Sequence, residues 1–231
     1  MDEPRGLRER KRQRTHDALS EAAISLFLRH GYDQVSVADV AAAAEVSKPT
    51  LFKYFPSKED LVLHRILDHR GEAARVVRDR SPGEAPLAAL RRHFLAGLDR
   101  RDPVTGLNDH PEVLAFHGMV FGTPSLAARV AQYATHDEEA LAEALAEAAP
   151  AADALDARLA ASQIVAVQRV LARENWRRLT EGRTAAEVHA DAVTAADHAF
   201  DLLAGGLTGY AEPGGARTDD VGPPGRPTGG R

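Results

Sequence analysis

The sequence predicts an all-α protein, with a small helical head at the N-terminus and a larger helical body behind it. Three observations point there. Apolar residues recur at three- and four-residue spacing through most of the 231 positions. The breaks between these runs carry helix punctuation: Ser or Thr with an acid three residues on, Pro at helix starts, Gly at helix ends. No segment reads as a strand.

The chain opens on a basic arm, residues 1–14, where Arg5, Arg8, Arg10, Lys11, Arg12 and Arg14 crowd together. It reads either as a solvated tail or as a phosphate-binding arm. The first helix follows it, with Leu19, Ala22, Ala23, Leu26 and Phe27 on one face and Gly31 as its stop. Ser36 caps a short second helix. Asp39 stands at capping-box spacing, and Val37, Val40 and Ala41 form the buried side. Ser47 caps a third helix, with Pro49 in its first turn, where a missing N–H costs nothing. Leu51 and Phe55, four apart, face the core together. Lys48, Thr50, Phe52, Lys53 and Tyr54 are left on or near the surface. Pro56 ends this helix. Ser57 caps a fourth, with Asp60 three residues on, predicted to run toward Val77. Residues 15–56 thus form a three-helix unit whose second and third helices make a helix-turn-helix. The third helix is the one to enter a DNA major groove. A small helical core with the same rhythm is the alternative; the basic arm, the caps and the exposed Lys-Pro-Thr pattern favour DNA.

Bulk properties bound the rest. Apolar content of 44% supports a packed core, and the absence of cysteine excludes disulfide and thiolate chemistry. The N-terminus lacks the apolar stretch of a signal peptide, and no run is long enough for a membrane span, so a cytoplasmic protein with no membrane partner is expected. The net charge of −5 argues against a wholly basic nucleic-acid coat.

Residues 57–209 form the body. Its helices are marked by Leu87, Leu90, Phe94, Leu95 and Leu98, and by "HPEVLAFHGMVFG" with Pro at its first position. A long helix opens at Thr123-Pro124, with Leu126, Val130, Tyr133, Leu141 and Leu145 inside. Another carries Leu155, Leu159, Ile164, Val167, Leu171, Trp176 and Leu179 inside and stops at Gly182. The last, capped by Thr184 and Glu187, carries Val188, Ala192, Ala196 and Phe200. "DPVTGLND" is a loop, and residues 210–231 are Pro-, Gly- and Arg-rich and expected to be disordered. The wide Ala, Val and Leu faces of the last two helices suit either a monomer core or a four-helix bundle between two chains.

Phe94, Phe116, His117, Met119, Phe121, Tyr133, Gln163, Gln168 and Trp176 read as the lining of a ligand cavity with a few polar anchors. The alternative is a packed core whose polar tips reach water or backbone. An enzyme has little support. There is no Gly-rich phosphate loop and no nucleophile elbow. The pairs His64/His69 and His110/His117 lack the four-residue spacing of a helical zinc pair, so neither a metal nor a cofactor is expected.

The run "EAAISLFLRHGYDQVSVADVAAAAEVSKPTLFKYFPSKEDL" resembles the head of the TetR/AcrR family of bacterial transcription regulators. The likeness covers roughly residues 14–65. It implies a DNA-binding regulator, not an enzyme, that dimerises through its last two helices and reads a palindromic double-stranded operator. It implies base-edge contacts from Lys48, Pro49 and Phe52, and phosphate contacts from Ser36, Thr50, Lys53, Tyr54 and Lys58, with Arg10, Arg12 and Arg14 of the arm beside them. Two positions depart from the family. Phe52 stands where Tyr is common and lacks its hydroxyl. Glu45 stands where Gly is common, which suggests a turn of non-αL geometry. The stretch "TPSLAARVAQYATHDEEALAEALAE" is similar to C-terminal domains of TetR-like regulators, some associated with acyl-CoA-type ligands, so a small hydrophobic effector that releases the DNA is expected.

Overall fold

Among the described residues every regular element is an α-helix except one 3-10 turn. The computed structural model describes residues 3–67, 69–150 and 153–206, and among these it holds ten α-helices. The head contains α1 (Glu3–His30), α2 (Val37–Ala43) and α3 (Lys48–Tyr54), followed by α4 (Lys58–Leu67). The body contains α5 (Glu72–Arg78), α6 (Pro86–Asp99), α7 (Pro111–Gly122), α8 (Pro124–Ala148), α9 (Ala154–Thr180) and α10 (Ala185–Gly205). The tail expected over residues 210–231 lies outside the described residues, as do the side chains of Arg5, Arg8 and Lys11.

Two apolar cores hold these helices. In the head, Leu19, Ala23 and Phe27 of α1 meet Val40, Leu51 and Phe55 as the spacing predicts. Leu61, Val62 and Leu63 of α4 complete that core, so α4 packs with the head although the sequence division placed residue 57 onward in the body. Phe116, Val120 and Leu126, from α7 and the start of α8, also insert there. The second core joins α6, α8, α9 and α10 around Leu90, Phe94, Leu141, Ile164, Leu179 and Phe200.

The structure corrects four expectations. The basic arm is no separate segment: from Glu3 onward it is the first part of α1. The fourth helix does not continue to Val77. It ends at Leu67, the chain turns through residues 69–71, and Gly71 adopts φ +67 before α5 begins. A residue there needs the left-handed region, which Gly enters freely and which breaks a continuous helix. Leu155 and Leu159 are not inside: they are 56% and 51% exposed, on an outer stripe of α9 with Val170 at 63%. The fourth correction, at Glu45, belongs to the turn described below.

One contact fixes the body's interior. "DPVTGLND" contains the 3-10 turn Pro103–Thr105 and then Gly106 at φ +71. A Cβ on Gly106 would lie 1.9 Å from the carbonyl oxygen of Ala172, so only glycine lets this loop press against α9. Buried Asn175 donates from Nδ2 to the Thr105 carbonyl at 2.9 Å, satisfying a polar group that the packing takes from water.

Candidate nucleic-acid interface

The recognition unit is assembled almost wholly by local hydrogen bonds. At the start of α2, Ser36 Oγ accepts from the Asp39 amide at 3.2 Å. The Asp39 carboxylate accepts in return from the Ser36 amide at 2.8 Å and its hydroxyl at 2.7 Å. The capping box is therefore complete, and the Ser36 hydroxyl and amide hold the Asp39 carboxyl below its ordinary pKa.

The turn after α2 is a Schellman motif. The Val46 amide donates to Ala41 and the Glu45 amide to Ala42, at 2.9 and 3.1 Å. That pattern requires a left-handed residue just past the helix. Glu45 occupies it at φ +54, which overturns the non-αL geometry expected from its side chain. The position keeps the backbone of a glycine and carries a glutamate.

The chain then enters α3. Ser47 Oγ accepts from the Thr50 amide at 3.2 Å and pairs with the Thr50 hydroxyl at 2.7 Å. Leu51 and Phe55 are buried and lock the inner face. Lys48, Pro49, Phe52 and Lys53 are exposed together on the other side, while Thr50 and Tyr54 are half-buried. The Lys48 ammonium lies 5.9 Å from the Phe52 ring centroid, so the helix start presents a cation beside an aromatic face. This surface can donate to guanine from Lys48 and pack Pro49 and Phe52 against a thymine methyl.

The other sites named from the sequence are dispersed. Arg10, Arg12 and Arg14 are exposed along α1. Ser36 is exposed, its hydroxyl shared with Asp39. Lys58 instead turns into the head: its ammonium donates to the Tyr32 carbonyl at 2.5 Å and sits 4.1 Å from the Tyr32 ring centroid and 5.3 Å from that of Phe27. Its first commitment is to the fold.

Asp60 has a partner that spacing could not reveal. Its amide does cap on Ser57 at 3.1 Å. Its carboxylate, however, accepts from the Tyr133 hydroxyl of α8 at 3.0 Å and lies 3.5 Å from Arg129. A second clasp joins the same helix to the elbow between α4 and α5, where the Gly71 amide donates to Asp137 at 2.8 Å. Tyr133 and Arg129 thus tie α8 to the head through Asp60, and Asp137 ties the same helix to the elbow that follows α4. Burial raises the Tyr133 pKa, and the Arg129 hydrogen bond opposes that.

The residues expected to line one cavity fall into three places. Phe94 packs on Phe200 in the body core, with centroids 6.2 Å apart. Phe116, Met119 and Tyr133 belong to the head-side core. His117, Phe121 and Trp176 form a chain of rings, 5.9 Å from His117 to Phe121 and 6.2 Å from Phe121 to Trp176. Arg173 lies over Phe121 at 5.8 Å, a contact the sequence did not suggest. Burial holds the His117 pKa below its ordinary value, so this imidazole favours its neutral form. The Trp176 indole N–H is buried and meets no acceptor among the described residues. Gln163 is exposed and Gln168 half-buried. A different, polar cleft of about 300 Å³ lies between α5 and α6, lined by Glu72, Arg75, Val76, Asp79, Arg92 and His93.

A short capped helix that shows cations and an aromatic outward, fixed by a tight turn to a second helix, defines a helix-turn-helix DNA-binding transcriptional regulator. Comparison with known proteins makes this specific. Residues 19–64 match the model of the bacterial regulatory proteins of the tetR family. The transcriptional regulator TcmR of Streptomyces glaucescens is 37% identical over 174 residues, covering 73% of this chain and 76% of that protein. The chain belongs to the TetR family. Two solved structures share the fold. NalD of Pseudomonas aeruginosa, secondary repressor of the MexAB-OprM efflux pump, superposes with a TM-score of 0.56 at 18% identity, covering 82% of this chain and 96% of NalD. Salmonella enterica GusR gives 0.52 at 20% identity, covering 83% and 94%.

Proposed function

We propose that this regulator is a repressor that binds a palindromic operator as a homodimer and lets go when a small hydrophobic molecule enters its body. The observation that carries the DNA reading is the exposed quartet Lys48, Pro49, Phe52 and Lys53 on a helix whose other face is locked by Leu51 and Phe55. Base readout falls to Lys48, Pro49 and Phe52. Phosphate contacts fall to Ser36, Thr50, Lys53 and Tyr54, to the exposed arginines of α1, and to Lys58 only if it leaves Tyr32.

Dimerisation is supported by an uncovered apolar stripe. Leu155, Leu159 and Val170 on α9 and Leu202 on α10 are large hydrophobics left in water by a single chain. A second copy, docking the same two helices, would cover them and set two recognition helices on one duplex face. A cytoplasmic location follows from the DNA target.

The effector reading is supported by the His117–Phe121–Trp176 ring chain and by the buried Trp176 N–H, a donor that suits an acceptor on a ligand. The path to the head runs through α8 rather than through one continuous helix. A ligand that moves α8 strains the Tyr133–Asp60 and Asp137–Gly71 clasps and changes the separation of the recognition helices. Heads one turn apart on DNA must sit about 34–36 Å apart, so a shift of a few ångströms breaks a half-site.

The test has two arms. Selection from a random duplex pool should return a palindrome; a non-palindromic or sequence-independent pool overturns the dimeric reading. Titration of hydrophobic metabolites, acyl-CoAs included, into the preformed complex should release DNA for at least one class. If a broad panel releases none, effector control fails while DNA binding stands.

A further inference from the structure

We infer that His16, Asp17 and His64 form a binding site for a first-row divalent cation of the zinc type, stapling α1 to α4 inside the head. The pairs His64/His69 and His110/His117 are not four apart on a helix. Folding assembles the set from two helices instead. Asp17 Oδ1 lies 3.6 Å from His16 Nδ1 and 3.5 Å from His64 Nε2, and the three ligand atoms all lie within 4.8 Å of one another.

These distances fit a cation better than they fit direct hydrogen bonds. A nitrogen–oxygen contact beyond about 3.2 Å is already long for a hydrogen bond. Zinc binds His nitrogen and carboxylate oxygen at about 2.0–2.2 Å, and a tetrahedron with such arms has edges of about 3.3–3.6 Å. Both Asp17 edges, 3.6 and 3.5 Å, fall in that interval. The third, between the two imidazoles, lies within 4.8 Å. Two imidazoles and one carboxylate suit zinc, nickel or cobalt and not magnesium or calcium, which demand oxygen. Three protein ligands leave a fourth position for water.

The surroundings supply the support a metal site needs. Gln13 Nε2 donates to Asp17 Oδ1 at 2.8 Å, orienting the carboxylate and leaving that oxygen a second lone pair. The His16 ring is stacked on Phe55 at 4.2 Å and meets the His64 ring edge-on at 4.0 Å, so neither imidazole is free to swing away. His16 and His64 are mostly buried, and Asp17 is about half exposed, which gives an entry path from solvent. Phe55 is also the cap of α3. A cation here would brace the helix behind the recognition surface from both sides, beside the existing α1–α4 link from Ser20 Oγ to the Leu61 carbonyl.

The site can be measured without DNA, so its failure leaves the regulator reading untouched. Full-length protein stripped with chelator is titrated with zinc chloride by calorimetry, with magnesium chloride as the control ion. One zinc per chain is expected, with a rise in Tm that magnesium does not give. Asp17→Asn and His64→Gln should each weaken that site at least about tenfold, the loss already typical of a supporting residue. Asp17→Asn changes a half-exposed carboxylate to an amide of the same shape, so it reads the site even where His64→Gln fails to fold. Cobalt loading supplies an independent signature, a visible absorption band expected in the native chain and absent from a His16→Gln/His64→Gln chain. Zinc affinity and stoichiometry unchanged in Asp17→Asn and the double variant, or no zinc binding at all, would overturn the assignment.

Discussion

The head and the body reach the same end, buried helix faces, by opposite means. In the head, each short helix is started and stopped by partners three to five residues away: Ser36 with Asp39, Val46 with Ala41, Ser47 with Thr50. In the body, long helices are pinned by contacts between distant segments. Asn175 holds Thr105, Arg91 reaches Asp197 and Asp201, and Gly106 lies against Ala172. A unit fixed by local bonds keeps its shape while it docks on DNA. One fixed by a few long-range contacts can be shifted as a block when one of them changes. The division of labour proposed above, reading in the head and sensing in the body, is in keeping with that difference.

The largest test of the contrast is Gly106→Ala. Its Cβ would overlap the Ala172 carbonyl while the residue is forced to positive φ. A loss of about 3 kcal/mol or more is expected, since overpacking against backbone has no flexible neighbour to give way. Chemical denaturation measures it. A loss below about 1 kcal/mol would mean that the loop is loosely attached and the body is not held by this contact.

Next is Lys48→Ala. The lysine stands at the start of α3, and among the described residues the contact of its ammonium is with the Phe52 ring. Its removal should cost about 1–3 kcal/mol on the preferred duplex and relax base choice, with stability unchanged. The companion Lys58→Ala should do the reverse and destabilise the head by about 1 kcal/mol, because the Tyr32 carbonyl and two rings lose their cation. Fluorescence anisotropy and denaturation on both variants decide it. Equal loss on preferred and random DNA for Lys48→Ala sinks its base-reading role.

What the sequence made legible divides along the same line. Ser36, Ser47 and Thr184 announced their helices because a cap and its partner lie within one turn. The Gly71 break was missed although the glycine itself was the signal, since apolar spacing on either side continued through it. Asp60 looked like a cap and is also a tie to Tyr133, 73 positions away. His16 and His64 meet only through packing of α1 on α4. Leu155 and Leu159 fit an apolar stripe, but periodicity cannot say whether a stripe faces its own chain or another. The caps and buried faces of the head were therefore readable residue by residue, and the long-range contacts of the body were not.

Tyr133→Phe tests the joint between the two regions. It removes the hydroxyl that donates to Asp60 and leaves the ring packed. A net loss of about 1 kcal/mol is expected, as for one hydrogen bond to a charged group partly offset by Arg129. Operator affinity without effector should stay near normal, and the effector's power to release DNA should fall. If release is unchanged, the Asp60 clasp is structural and signalling uses the Gly71–Asp137 contact or another route.

The smallest effect is expected where the head itself breaks its local rule. Glu45 holds φ +54 because the Schellman turn demands it, yet it has a Cβ and a charge. The left-handed region costs a non-glycine residue about 1–2 kcal/mol. Glycine would relieve that strain but would also enlarge the freedom of the unfolded chain, which costs about 0.4–1 kcal/mol. Glu45→Gly should therefore stabilise the protein by about 0.5–1 kcal/mol, measured as a higher denaturation midpoint at unchanged slope. The same substitution removes an exposed negative charge from the turn that leads into the recognition helix. Binding to DNA should tighten at low salt and converge with the parent as salt screens the phosphates. Glu45→Gln separates the two causes. It keeps the strain and loses the charge, so it should reproduce the binding gain without the gain in stability. If Glu45→Gln stabilises as much as glycine does, charge repulsion within the head, not backbone strain, is what this turn carries.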